Sequence, residues 1–254
     1  CPGLQAGVFL NNAASNTLVG NLVQGNQKYG VYIFGETAIN NQLRNNTIDG
    51  TRLDATQTGT KAPQPYDVSA YQDPATRQDQ GIVINSANKN LIGPGNTIIN
   101  NILGVEIVNL VVPTASAKAF DASNYNKIYG NTISTNLIGV RVNSSTNTAI
   151  IANTITKNPG IGVALTGALD QNNVVQANQI NVNVGLDSQT ARTQASKPNL
   201  RGAYNQGVGI YIDSGMNNLI VAKPPRGTLA AVPSFLKASQ LPGLTAKQVP
   251  AKPG

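Results

Sequence analysis

"GNTISTNLIGVRVNSSTNTAIIANTITKNPGIGVALTG", Gly130–Gly167, says the same thing twice. Asn131-Thr132-Ile133 returns as Asn153-Thr154-Ile155, and Gly139-Val140-Arg141-Val142 returns as Gly162-Val163-Ala164-Leu165. Apolar residues alternate within each phrase and β-branched residues dominate, which is the period of strands and not of helices. Each phrase is too short to bury an apolar side unaided. A chain that coils so that every strand pairs with its equivalent one turn later solves this, because the inward positions then stack into one continuous core.

Outward from this stretch, the Gly phrase recurs at Gly7, Gly30, Gly81, Gly104 and Gly209. The intervals Gly7 to Gly30, Gly81 to Gly104, Gly139 to Gly162 and Gly162 to Gly185 are all 23 residues. The Asn phrase recurs at Asn21, Asn46, Asn96 and Asn178, and a further Asn stands five residues ahead at Asn16, Asn41, Asn126 and Asn173. Each unit therefore predicts three short strands separated by Asn and Gly. Val8, Val31, Ile82, Val105, Val140, Val163 and Ile210 form one inward column, and Leu10, Ile33, Ile84, Ile107, Val142, Leu165 and Ile212 a second. Asn side chains stacked about 4.8 Å apart can hydrogen-bond along the axis. Asn also tolerates the left-handed backbone that tight corners need.

The rhythm GVxI…NxIxxNTI, cleanest over Gly81–Gly185 and traceable from Ala6 to Val221, resembles the right-handed parallel β-helix proteins of the pectate-lyase-like type. The resemblance implies an all-β fold: a right-handed parallel β-helix of about seven rungs within residues 1–222. That family includes polysaccharide lyases, hydrolases, epimerases, tailspikes and non-enzymatic surface proteins, so fold alone does not select an activity.

Three stretches break the rhythm, 51–80, 109–123 and 186–207, all rich in Ala, Thr, Gln, Asp and Pro as surface loops are. The first and third precede a Gly strand and the second follows one, so they border the Gly-strand sheet. The outward column of that sheet reads Phe9, Tyr32, Val83, Glu106, Arg141, Ala164 and Tyr211, with Tyr66, Tyr71, Tyr125 and Tyr204 nearby in the chain. The resemblance implies long sugar polymers lying along such a face, and aromatic rings pack against apolar sugar faces. Tyr32, Glu106, Arg141 and Tyr211 are the glycan-binding candidates. The same placement also suits a plain solvent-facing sheet.

Glu106 and Arg141 are the only catalytic candidates, because the resemblance implies lyases that hold calcium on acidic residues and use Arg or Lys as base. An ion pair between neighbouring rungs, worth at most about 1 kcal/mol at a surface, is the plainer account of the two. No carboxylates converge by spacing as a hydrolase requires, although Asp187 would extend the outer column past Ala164. The chain has no histidine and one cysteine, which excludes histidine catalysis and a Cys/His metal site. The resembled epimerases carry a His-containing motif that is absent here. No cofactor is expected; calcium enters only with the lyase reading.

The formal charge of the 254 residues is +7. Beyond Asp213 there are five bases and no acid, which leaves about +2 for residues 1–222. The bases are scattered and not interleaved with aromatics, so no nucleic-acid partner is expected. No apolar run is long enough to predict a transmembrane helix. Cys1 is read either as the lipidated residue of a processed lipoprotein or simply as the start of the ordered chain. Residues 223–254, with six prolines and only basic charges, read as an extended strap or linker, in which Val232–Leu244 would cover the last rung. Residues 1–6 are too short to cap the first rung, which predicts either that the chain is part of a longer protein or that this end docks on a neighbouring subunit, as a homo-oligomer or end to end. The expected function is a non-catalytic extracellular or cell-envelope module, at the surface or in the periplasm, with a structural, adhesive or glycan-binding role. The alternative is a polysaccharide lyase or hydrolase using the Gly-strand face.

Overall fold

Alternating β-branched segments of two to six residues form twenty strands in the computed structural model, which describes residues 5–51, 78–109, 123–167, 169–181, 208–213 and 215–221. Cys1, the interiors of the three insertions with Tyr66, Tyr71 and Tyr204, and the tail lie outside these residues. The first coil is β1 (Ala6–Asn11), β2 (Thr17–Val19) and β3 (Leu22–Gln24); the second is β4 (Tyr29–Phe34), β5 (Gln42–Arg44) and β6 (Thr47–Asp49). The third is β7 (Gln80–Asn85), β8 (Leu91–Ile92) and β9 (Thr97–Ile99); the fourth is β10 (Leu103–Val108), β11 (Lys127–Tyr129) and β12 (Thr132–Ser134). Then come β13 (Ile138–Asn143), β14 (Ala149–Ile151) and β15 (Thr154–Thr156), and β16 (Ile161–Leu165), β17 (Val174–Gln176) and β18 (Gln179–Asn181). β19 (Val208–Ile212) and β20 (Leu219–Val221) close the described chain.

Every strand pairs in parallel with the strand one coil away. The first sheet runs β1-β4-β7-β10-β13-β16-β19, the second β2-β5-β8-β11-β14-β17-β20, and the third β18-β15-β12-β9-β6-β3. This is a parallel β-helix, and its register is the one the repeat predicts: Val8↔Val31↔Ile82↔Val105↔Val140↔Val163↔Ile210. From the second coil to the sixth, the inward residues Val31, Ile82, Val105, Val140 and Val163 are fully buried. Ile48, Ile98, Ile133 and Ile155 complete the core from the third sheet.

One expected interval is corrected. Gly162 does not lead to a Gly strand at Gly185, because the neighbour of β16 in the first sheet is β19, with Val163 opposite Ile210. The same pairing puts Tyr211, and not Asp187, beside Ala164. A chain coil can lengthen at a corner without disturbing the sheet, so constant spacing is sufficient but not necessary for stacking.

Both expected roles of asparagine are present, and they fall on neighbouring residues. The stacked asparagines and the left-handed residues are different residues. Asn16, Asn41, Asn46, Asn101, Asn173 and Asn218 stack, whereas positive φ falls on the residue just before each: Ser15, Asn40, Asn45, Asn100, Asn172 and Asn217. The left-handed residue turns the corner, and the next Asn points inward to bond along the axis. A third ladder, Gln78-Asn101-Asn136-Asn158, runs between the third and first sheets. It was readable from the five-residue step that follows Asn96, Asn131 and Asn153.

The Gly column has a steric cause. A Cβ on Gly30, Gly81, Gly104 or Gly139 would lie 2.5–2.6 Å from the carbonyl oxygen of the glycine one coil on. The backbones at this corner approach too closely for any side chain.

Candidate functional site

The outer face of the first sheet holds the residues expected to be functional. Register places Phe9, Tyr32, Val83, Glu106, Arg141, Ala164 and Tyr211 in one column, as read from the sequence. Outward does not mean exposed here: Val83, Glu106 and Ala164 are 3%, 3% and 1% accessible. Of the four glycan-binding candidates, Tyr32 and Arg141 are half-buried, Glu106 is buried, and Tyr211 is exposed in the last described strand of the sheet.

Glu106 and Arg141 stand opposite each other on β10 and β13. The Arg141 guanidinium donates through both Nε, at 2.9 Å, and Nη2 to Glu106 Oε1. Gln80, on β7 at the other side, donates its amide to Oε2. Both carboxylate oxygens are therefore engaged, across three coils. The expected ion pair between neighbouring rungs is present, but its carboxylate is buried and not at the surface. Losing one partner of a pair with a buried charge costs about 3–5 kcal/mol, far above the surface figure.

Towards the first coil the same face turns aromatic. Tyr32 lies 4.7 Å from Tyr29, 5.5 Å from Phe9 and 5.9 Å from Phe34, centroid to centroid, each ring plane within 27° of that of Tyr32. The Lys28 ammonium sits 5.4 Å from the Tyr29 ring centre. Asn85 donates its side-chain amide to the Tyr32 hydroxyl oxygen at 2.8 Å. Burial pushes the Tyr32 phenol up from its ordinary pKa, and the bond from Asn85 opposes this. Tyr29, Phe34, Lys28 and Gln80 were missed by sequence reading. The alternation of Tyr32 and Phe34 in "YGVYIF" was the available signal for Phe34.

On the second sheet's outer face, Lys127 is 3% accessible, and its ammonium stands 4.6 Å from the Tyr129 ring centre. Burial lowers its pKa. Asp170 is fully buried and accepts from the backbone N–H groups of Ser145 and Gly167, each at 2.8 Å. Desolvation raises its pKa, and these backbone bonds oppose the rise. It is a corner brace and not a free acid. Among the described residues, no three of His, Cys, Asp and Glu come together as a metal would need.

Comparison with known proteins gives the following. The family model "Periplasmic copper-binding protein (NosD)" matches residues 2–136 and 114–207. Two solved mutants of the periplasmic alginate epimerase AlgG are similar, at 14% and 17% identity and TM-scores of 0.50 and 0.49. Each similarity covers 85% of this chain and 47% of that one, so the chain spans about half the length of the structures it matches. At such identity the shared property is the fold, the right-handed parallel β-helix. No curated protein matches the chain.

Proposed function

This chain belongs to the NosD family of periplasmic proteins, and from that premise we propose that it is a non-catalytic β-helical module that holds polysaccharide against the outer face of its first sheet. The observation that carries the reading is the state of Glu106. Its two carboxylate oxygens are engaged by Arg141 and Gln80, and the group is buried. A carboxylate so held is a poor calcium ligand and a poor acid or base, whereas structural bracing of three coils suits it. The cluster of Phe9, Tyr29, Tyr32 and Phe34 offers the apolar surface that sugar rings pack against, and Lys28 beside it favours acidic sugars.

The family's description names copper. The soft and imidazole donors that copper takes are nearly missing from this chain: it has no His, one Cys and one Met. Cys1 and Met216 are those two residues, and Met216 is 57% exposed on the last described coil. The residues present do not fit a copper site, and no step is assigned to one.

The test is retardation of the full chain in affinity electrophoresis with a panel of acidic and neutral polysaccharides, run beside assays for unsaturated or reducing-end products. Retardation by an acidic glycan, weakened in Tyr32→Ala and without product release, is the expected outcome. Product release that disappears in Arg141→Ala or Glu106→Ala would establish the lyase or hydrolase alternative instead.

A further inference from the structure

We propose that the outer face of the third sheet is an ice-binding surface, a rigid array of threonine hydroxyls and methyls that holds water in lattice order. The argument is independent of glycan binding, which uses the first sheet. Register stacks Leu22↔Thr47↔Thr97↔Thr132↔Thr154↔Gln179 in one outward rank. Two residues further along each strand, Gln24↔Asp49↔Ile99↔Ser134↔Thr156↔Asn181 form a second. The residue between the ranks, such as Ile133 or Ile155, points inward and is fully buried. Thr132 is exposed, and Thr47, Thr97, Thr154 and Thr156 are half-buried. The three insertions in the repeat fall between sheets, so neither rank is interrupted.

The hydroxyls of this face are unspent. At the corners the chain uses its threonines: Thr37 donates to Asn12 Oδ1 at 3.1 Å, Thr135 to Asn100 Oδ1 at 2.9 Å, and Thr146 to Asn124. Among the described residues, the hydroxyls of Thr47, Thr97, Thr132, Thr154 and Thr156 make no hydrogen bond to protein. Coils lie about 4.8 Å apart, so neighbouring hydroxyls in a rank cannot reach one another. Each is left to bond to something outside the chain. Asp49 carries the only charge in the two ranks. Its Oδ1 already accepts from the Thr51 N–H at 2.9 Å and from Asn100 at 3.0 Å, and its Oδ2 from Gln24 at 3.2 Å. With no base among them, these residues suit an uncharged ligand.

Spacing selects which one. Outward residues repeat about every 4.8 Å along the axis and about 6.6 Å across the ranks. Between the methyls of facing ranks this leaves a trough about 3 Å wide, enough for a file of single water molecules and too narrow for a sugar ring. The methyls restrict the orientation of the water beside them, and the hydroxyls bond it at fixed intervals. Threonine is stiff at χ1, and parallel pairing on both sides fixes the backbone, so the array loses little freedom on binding. A partner that repeats identically in two directions is a crystal. The crystal of the molecule that fits the trough is ice, whose surface oxygens repeat at close to the coil spacing.

Ice recrystallisation in a sucrose solution of the full chain, followed as grain growth under the microscope, tests this. The wild type should arrest grain growth, and the double variant Thr132→Lys/Thr154→Lys should lose the arrest. Both lysines stand on the outer face, clear of the core, and circular dichroism checks that the β-sheet is unchanged. Val19→Lys, a 50% exposed position on the outer face of the second sheet, should arrest growth as the wild type does. Wild type that leaves grain growth as an unrelated protein does overturns the proposal. So does a folded double variant that keeps the arrest, or a folded Val19→Lys that loses it. A wild-type dimer in sedimentation velocity that the double variant abolishes, with no effect on ice, would assign the face to a second copy and overturn it too.

Discussion

Thr148 is the residue where the ladder that runs Asn16-Asn41-Asn90-Asn126 and on to Asn173 and Asn218 changes chemistry. Its neighbours along the axis are Asn126 and Asn173, and its own N–H reaches Asn173 Oδ1 at 2.8 Å. Its hydroxyl oxygen is buried without a partner. Thr148→Asn restores a side-chain acceptor towards Asn126 and a donor towards Asn173. It should stabilise the protein by about 1 kcal/mol, the usual net worth of one such bond, measured by urea denaturation. Lys127 is the opposite kind of residue, a cation held out of water with an aromatic ring as its compensation. Because burial lowers its pKa, the unfolded chain holds a proton that the folded one lacks over the window just below the ordinary lysine value of about 10.4. Stability from this group therefore rises with pH through that window, and the charge penalty is fully present below it. Lys127→Met should raise Tm at pH 7, and the gain should shrink as the pH approaches 10; thermal melts at both pH values check it.

The element that tolerates least change is the corner where the third sheet passes to the first. There the glycines stack carbonyl to Cα, and the prediction differs by coil. Gly104→Ala places a methyl 2.5 Å from Gly139 O and 3.0 Å from Ile133 Cγ2, so backbone must move. It should cost about 3 kcal/mol, at the upper end for overpacking. Gly209→Ala meets only Ile180 Cγ2, at 3.7 Å, and should be nearly neutral. Equal losses in the two variants, read from denaturant midpoints, would show that glycine is needed for flexibility and not for close approach. The sequence displays both glycines in the same motif; only the stacking distance separates them.

For the molecule as a whole, contacts are made almost entirely between adjacent coils, as in other solenoids, and stability is then a sum of coil and interface contributions. Inward residues are fully buried on β10, only partly buried on β1, and partly buried to exposed on β19. Native-state hydrogen exchange should therefore protect the amides of β10 most and those of β1 and β19 least. Uniform protection across all coils would mean that the solenoid opens as one unit. Addition of salt at neutral pH should leave this gradient in place, since it originates in apolar burial and not in charge.

The repeat alone determined the class of fold, the parallel pairing, the inward columns and the outward column, because stacking demands that like residues recur and the recurrence is written in the chain. It also determined that imidazole chemistry is absent. Tertiary structure decided the rest. It showed that β16 stacks on β19 and not on residues near Gly185, since corners absorb extra chain without cost to register. It separated corner-turning asparagines from stacked ones, because φ and side-chain direction are not visible in identity. It buried Glu106 and tied both its oxygens, because the depth of an outward side chain depends on what packs around it and not on its parity along a strand.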